Sequence, residues 1–131
     1  MAGIREKRVL IVDDEEDLTA ALALRMSAGW GFAVSVAHDG EEGLRKAAVF
    51  MPDVILLDLA MPKVDGWEMC RRLRDDPGTR DIPLVIMTAW VTRGLNERAA
   101  AEGACKILLK PFDDEELIGA LRAQAGRRRT S

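Results

Sequence analysis

Short apolar runs alternate five times with amphipathic stretches along this chain, and that alternation constrains the fold more than any other feature. After the first run, Leu18, Leu22 and Met26 recur at one-turn spacing, as in a helix packed against a sheet. Such βα units imply a parallel sheet with right-handed crossovers and helices on both faces. The five apolar runs are Val9–Val12, Phe32–Val36, Val54–Leu57, Leu84–Met87 and Ile107–Leu109.

The character of each run indicates where its strand lies in the sheet. Val54–Leu57 is unbroken apolar sequence, which suits a central strand covered on both faces, whereas Phe32–Val36 alternates as an edge strand does. The strand order 2-1-3-4-5 puts the two most apolar strands, the first and third, side by side. The sequence therefore predicts an α/β, flavodoxin-like (βα)5 three-layer sandwich over residues 6–125. Residues 126–131 are expected to form a basic tail or the start of a linker.

Composition excludes several classes of protein. The 131 residues are 48% hydrophobic and carry a formal net charge of −3, which argues against disorder and against general polyanion binding. The amino terminus lacks the apolar segment of a signal peptide, and no later run approaches the roughly 18 residues that span a bilayer. We expect a cytoplasmic protein with no membrane partner. Cys70 and Cys105 lie far apart without CxxC spacing, so free thiols are expected rather than a disulfide or metal site.

Polar residues follow the predicted strands at their carboxyl ends, which meet at one edge of a parallel sheet. Two carboxylates about 4 Å apart repel by roughly 4 kcal/mol at an effective dielectric of about 20, so three together call for a cation. Oxygen ligands with no histidine or cysteine nearby suit Mg²⁺, or Mn²⁺, better than Zn²⁺. The residues expected to converge are Asp13, Asp14, Asp58, Thr88 and Lys110.

The same residues carry a resemblance to a known family. Asp13-Asp14 after a strand, Asp58 followed by LAMPKVDG, Thr88-Ala89 and Lys110-Pro111-Phe112 together resemble the receiver domain of two-component response regulators. The resemblance covers nearly everything from Val9 to about Ala125. It implies a phosphoacceptor signalling domain, not an enzyme on other substrates, which catalyses only its own phosphorylation and dephosphorylation.

The resemblance also implies a role for each matched residue. Asp58 would accept a phosphoryl group from a phosphohistidine of a sensor histidine kinase or phosphotransfer protein. Asp14, Asp58 and the main-chain carbonyl of Ala60 would ligate Mg²⁺ directly, and Asp13 would act largely through water. Lys110 would pair with phosphoryl oxygens, and its bond to Pro111 is a candidate for the cis form, which would turn the lysine inward.

The hydroxyl of Thr88 would donate to a phosphoryl oxygen. The downstream partner is an unknown effector protein, or an effector domain in a longer parent chain. The domain is expected to be a monomer or a phosphorylation-dependent dimer.

The same residues admit other interpretations when they are taken singly. Asp13 or Asp14 alone suits a helix N-cap, and Lys110 alone a solvated charge, so only the complete set supports a site. A haloacid dehalogenase-type aspartyl-phosphate phosphatase needs a DxDxT-like motif after its first strand, where this chain has Asp13-Asp14-Glu15. A flavodoxin-like FMN binder would need a Ser/Thr/Gly-rich loop in that place.

Features outside the set are assigned no chemistry. His38 is expected at the surface, away from the site, and Trp67 is expected to pack on its helix rather than to bind a ligand. Arg127–Arg129 more often complement a helix dipole or begin a linker than bind nucleic acid, so no direct nucleic-acid binding is expected.

The chain departs from the family pattern in two respects, one at Ile107 and one at Ala60 and Trp90. Ile107 stands three residues before the lysine, where receivers usually carry Tyr or Phe, and it offers no hydroxyl. Output through the face formed by the fourth helix, fifth strand and fifth helix is therefore expected to use repacking or a backbone shift. Ala60 is small and Trp90 is bulky at the two positions expected to flank a phosphoryl group. Trp90 is accordingly predicted to shield the phosphate from water.

Overall fold

The computed structural model describes residues 6–61 and 64–126 of the chain. Strands and helices alternate in the predicted order. The strands are β1 Arg8–Val12, β2 Ala33–Ala37, β3 Val54–Asp58, β4 Leu84–Thr88 and β5 Lys106–Leu109. The helices are α1 Glu16–Leu24, α2 Gly40–Phe50, α3 Gly66–Asp75, α4 Leu95–Ala101 and α5 Asp114–Ala125.

The sheet is parallel throughout, with the order β2-β1-β3-β4-β5, which confirms the predicted topology. β2 lies at one edge, as its alternating pattern indicated. Asp58, the last residue of β3, lies beside Met87 in the register with β4. The side chain of Asp58 therefore stands at the carboxyl edge of the sheet, where β1, β4 and β5 also end.

The core consists of two apolar layers, one on each face of the sheet. Alternate residues of the central strands point to opposite faces, so Ile11 and Leu56 join one layer while Leu10 and Ile55 join the other. Leu22 of α1 and Leu117 of α5 pack in the first layer; helices α2, α3 and α4 cover the second. This is the predicted three-layer sandwich.

Aspartates begin three of the helices. Asp39, Asp65 and Asp113 are the N-caps of α2, α3 and α5, and each accepts a hydrogen bond from the backbone N–H three residues on. Asp113 and Glu116 form a complete capping box. Helix α1 differs, because the N-cap position holds Glu15 and no side chain caps it. The residues Asp13 and Asp14 are thus not used as α1 N-caps.

A few local features differ from the sequence predictions. A π-helical turn, Arg25–Gly29, directly follows α1. His38 is only partly buried, and its Nε2 lies 3.3 Å from the Thr19 hydroxyl. Cys70 is buried and Cys105 exposed, and both are free thiols as expected.

The boundaries of the domain stay a prediction. The tail residues 127–131, with Arg127–Arg129, lie outside the described residues, as does Pro62 of the loop after β3. Within the described ranges, no helix is long and apolar enough to cross a membrane.

Candidate functional site

Three carboxylates gather where β1 and β3 end. Asp13 follows β1 and is fully buried, Asp58 closes β3 with 5% exposure, and Asp14 is exposed to solvent. One carboxylate oxygen from each lies within 4.8 Å of the others. The backbone N–H of Ala60 donates to Asp58 Oδ1 over 3.1 Å, and that of Glu15 donates to Asp13 Oδ1 over 2.9 Å. Each buried carboxylate therefore has one oxygen held by the loop that follows it.

Lys110 reaches this acidic cluster from the end of β5. Its ammonium Nζ lies 3.0 Å from Asp13 Oδ2 and 3.4 Å from Asp58 Oδ2. The Lys110 backbone N–H donates to the Thr88 carbonyl over 2.8 Å, which extends the pairing of β4 with β5 by one residue. The peptide bond from Lys110 to Pro111 is cis, as the sequence suggested.

Burial and charge shift the acidity of the groups at the cluster. Burial, supported by the charge of Asp13, raises the pKa of Asp58 above its ordinary value; the Ala60 N–H and Lys110 oppose this without cancelling it. Burial alone would lower the pKa of Lys110, but the hydrogen bond to Asp13 and the charges of Asp13 and Asp58 outweigh it and raise that pKa. Lys110 is therefore a firmly charged ammonium in a partly desolvated site.

Glu15 belongs to the surroundings of the lysine and was missed at the sequence level. Its carboxylate Oε1 lies 3.4 Å from Lys110 Nζ, with most of the side chain exposed. The only signal for this contact in the sequence is the adjacency of Glu15 to Asp13-Asp14. Exposure and salt screening make this contact weak.

Thr88 and Trp90 form a small turn near Asp58, at the end of β4. Trp90 donates its backbone N–H to the Thr88 hydroxyl oxygen over 3.1 Å, and Thr88 is buried while the Trp90 side chain is 74% exposed. Ala60, Trp67, Thr88 and Trp90 line part of a cavity of about 150 Å³ next to the cluster. The structure therefore places Thr88 at the same edge as Asp58, one residue beyond the strand neighbour of Asp58.

Gly66 fixes the loop that carries Asp58 and Ala60. Its backbone N–H donates to the Leu59 carbonyl over 3.1 Å, so α3 begins directly against this loop. A Cβ at Gly66 would meet the Leu59 Cα at 2.6 Å and the Asp58 carbonyl oxygen at 2.9 Å. Only glycine allows this approach of helix to loop.

The fold and this edge define a doubly wound α/β domain with a charged site where the strand order reverses. Residues 9–122 match the family model described as the response regulator receiver domain. The chain belongs to the response regulator receiver family of two-component systems. This assignment gives no support to the phosphatase alternative of the haloacid dehalogenase type.

Curated relatives agree with this assignment. The chain is 43% identical over 116 residues to the response regulator PleD of Caulobacter vibrioides, a match covering 88% of this chain and 25% of PleD. It is 39% identical over 116 residues to the DNA-binding dual master transcriptional regulator RpaA of Synechocystis, covering 88% of this chain and 48% of RpaA. The chain thus spans about a quarter to a half of the length of these relatives.

Solved structures share the fold over nearly the whole chain. The chemotaxis protein CheY4 of Vibrio cholerae is 29% identical, with a TM-score of 0.85, and the match covers 92% of this chain and 99% of that one. The receiver domain of the sensor histidine kinase PA1611 of Pseudomonas aeruginosa is 27% identical, with a TM-score of 0.83 and coverage of 93% and 99%. That structure has a magnesium ion coordinated in its active-site cleft.

Proposed function

We propose that Asp58 of this receiver domain accepts a phosphoryl group from the phosphohistidine of a sensor histidine kinase or phosphotransfer protein. The observation that carries the proposal is the meeting of three carboxylates with Lys110, whose ammonium lies 3.4 Å from the Asp58 carboxylate. A carboxylate can attack an anionic phosphoryl group only where positive charge offsets the repulsion between them. Asp58 therefore acts as the nucleophile beside a fixed cation.

Thr88 is suited to bind the transferred group. Its hydroxyl oxygen accepts from the Trp90 N–H, while its own proton has only a long contact of 3.4 Å to the Trp90 carbonyl. A hydrogen bond this long is weak, so the hydroxyl proton is available to a phosphoryl oxygen. Lys110 would bind another phosphoryl oxygen from the side of β5, so the two donors approach from neighbouring strands.

The donor set of the site fits Mg²⁺. Oxygens of Asp13, Asp14 and Asp58 lie within 4.8 Å of one another, and exposed Asp14 leaves one side open to water. Hard divalent ions that retain waters prefer such oxygen ligands, and Mn²⁺ would also fit. Asp14, Asp58 and the Ala60 carbonyl would hold the ion directly, with Asp13 acting through water. When bound, the ion supplies charge neutralisation for phosphoryl transfer.

Incubation with acetyl phosphate and Mg²⁺ tests the proposed function. Intact mass is expected to increase by one phosphoryl group in the wild type and in the control variant Asp81→Asn, which changes an exposed aspartate away from the site. Asp58→Asn is expected to stay unmodified. A wild-type chain that gains no mass, or an Asp58→Asn chain that still does, would exclude Asp58 as the acceptor.

The reaction serves signalling rather than turnover of other substrates. The domain would catalyse only its own phosphorylation and dephosphorylation, in the cytoplasm, and pass the state of Asp58 to an effector protein or to an effector domain in a longer chain. Addition of a dianion changes the charge of the site and can bias a surface between two conformations. No membrane or direct nucleic-acid contact is required of this domain, which acts as a monomer or a phosphorylation-dependent dimer.

Ile107 sets how this change reaches the surface. Its side chain is half-buried and packs against the second core layer, and it has no ring that could rotate inward. Output through the face of α4, β5 and α5 would therefore proceed by repacking or a backbone shift. NMR spectra with and without a phosphoryl mimic are expected to show shifts at Ile107 and its neighbours, and unchanged spectra on this face would contradict the idea.

A further inference from the structure

We infer that the contact between Trp67 and Arg98 is a latch that makes helices α3 and α4 move as one body when Asp58 is phosphorylated. This inference rests on the proposed function and adds a route by which the site reaches the surface. The Trp67 ring lies in the first turn of α3, and the Arg98 guanidinium of α4 lies 4.6 Å from the ring centroid. A cation at this distance is attracted electrostatically to the face of an indole.

Two arginines of α3 continue the connection toward the end of α4. Arg74 donates from a guanidinium nitrogen to the Ala101 carbonyl over 2.9 Å, at the helix terminus where intrahelical partners for carbonyls run out. Arg71 Nη1 lies 3.7 Å from a carboxylate oxygen of Glu102, whose side chain is only 17% exposed. The first, middle and last turns of α3 therefore each contact α4 or the residue that ends it.

The chain that precedes α4 gives this helix little support. Residues 89–94 connect it to β4 and are exposed, and Gly94 at the N-cap position has a φ of 76° and no side chain to cap the helix. The helix spans only seven residues and buries two of them, Leu95 and Ala99. A helix this short has little stability of its own, so its contacts with the rest of the fold set its position.

The first turn of α3 is fixed to the loop that follows Asp58. The Gly66 N–H donates to the Leu59 carbonyl over 3.1 Å, and a Cβ at Gly66 would lie 2.6 Å from the Leu59 Cα, so helix and loop are in direct backbone contact. Close-packed contacts transmit a displacement instead of absorbing it. A movement of this loop on phosphorylation of Asp58 is therefore passed to Gly66, to the adjacent Trp67 and, through Arg98, to α4.

The route through α3 does not need an aromatic side chain on β5. Ile107 has no ring that could rotate, whereas Trp67 and Arg98 are already in contact before phosphorylation. Packed elements of this kind change position as units, because their interfaces are not continuously deformable. The exposed side of α3 then belongs, with α4, to the surface that changes with the state of Asp58.

Backbone amide NMR with beryllofluoride as the phosphoryl mimic tests the latch. Spectra are recorded in Mg²⁺, with and without beryllofluoride, for the wild type, Arg98→Gln and Arg98→Lys. Arg98→Gln removes the cation from the Trp67 ring, whereas Arg98→Lys is the conservative variant that keeps one. Arg93→Gln is the matched control, because Arg93 is exposed in the loop before α4 and the cation–π contacts of the described residues involve Arg8 and Arg98.

The expected result is selective. Beryllofluoride shifts amides of both α3 and α4 in the wild type. Arg98→Gln reduces the shifts across α4 by about twofold to fivefold, the factor that one exposed cation–π contact contributes to an equilibrium, while the amides of Ala60 and Thr88 shift as in the wild type. Arg98→Lys restores most of the α4 response, and Arg93→Gln leaves it at the wild-type value.

Three results would overturn the latch and leave the proposed function intact. They are full α4 shifts in Arg98→Gln, an equal loss of α4 shifts in Arg93→Gln, and wild-type α3 amides that do not respond to beryllofluoride. A wild type in which beryllofluoride shifts no amide near Asp58 overturns the proposed function, and the inference with it.

Discussion

Gly66→Ala is expected to destabilise the domain, although alanine is the better helix former. The added Cβ would lie 2.6 Å from the Leu59 Cα, whereas ordinary contacts begin at 3.4 Å, so backbone must move by about 0.8 Å. The obstructing atoms are main-chain atoms and not the end of a flexible side chain. Overpacking of this kind costs about 1–3 kcal/mol, which exceeds the gain in helix propensity.

Gly119→Ala is the matched control, because nothing lies within 4 Å of a Cβ at this position in α5. It should stabilise the domain by about 0.5–1 kcal/mol through helix propensity alone. Thermal unfolding followed by circular dichroism measures both changes, at about 3–5 °C in Tm per kcal/mol for a chain of this size. A Gly66→Ala variant with a Tm equal to or above wild type would refute the close-approach argument.

Three further predictions follow from the site and the core. Mg²⁺ at a hundredfold excess over its Kd should stabilise the wild type by about 2.7 kcal/mol, measured as an increase in Tm. Asp14→Asn should lose most of this increase in Tm, and equal increases in the two proteins would contradict the proposed ligand set. Burial, reinforced by the Glu102 charge, raises the pKa of the Cys70 thiol to about 12. Native protein at about pH 8 should therefore take one alkyl group, at exposed Cys105, and denatured protein two; rapid native modification of both would refute the assigned burial. Trp90→Ala should speed loss of the phosphoryl group if the indole shields it from water, and an unchanged dephosphorylation rate would exclude that role.

Sequence patterns were sufficient to predict the strands of the sheet and their order. The runs that form β1, β3 and β4 are short, apolar and regularly spaced, and their strands are almost completely buried, so periodicity and topology rules agreed. The π-helical turn Arg25–Gly29 and the contact between His38 and Thr19 were not foreseen. Both depend on packing between segments, which local periodicity does not encode.

The site could be located from sequence, but its internal contacts could not. Strand ends bring Asp13, Asp58 and Lys110 to one edge whatever their side-chain conformations are. The closer approach of Lys110 to Asp13, at 3.0 Å against 3.4 Å for Asp58, reflects side-chain geometry and burial. The contact between Glu15 and Lys110, which are 95 residues apart in sequence, also reflects side-chain geometry.

Mapping the modified residue tests the central claim most directly. The wild type is treated with acetyl phosphate, with Mg²⁺ in one sample and a chelator in the other; the acyl phosphate is then reduced with borohydride and located by peptide mass spectrometry. We predict reduction at Asp58 alone, and only in the sample containing Mg²⁺. Modification of any other carboxylate in place of Asp58, or equal modification in the presence of the chelator, would contradict the account.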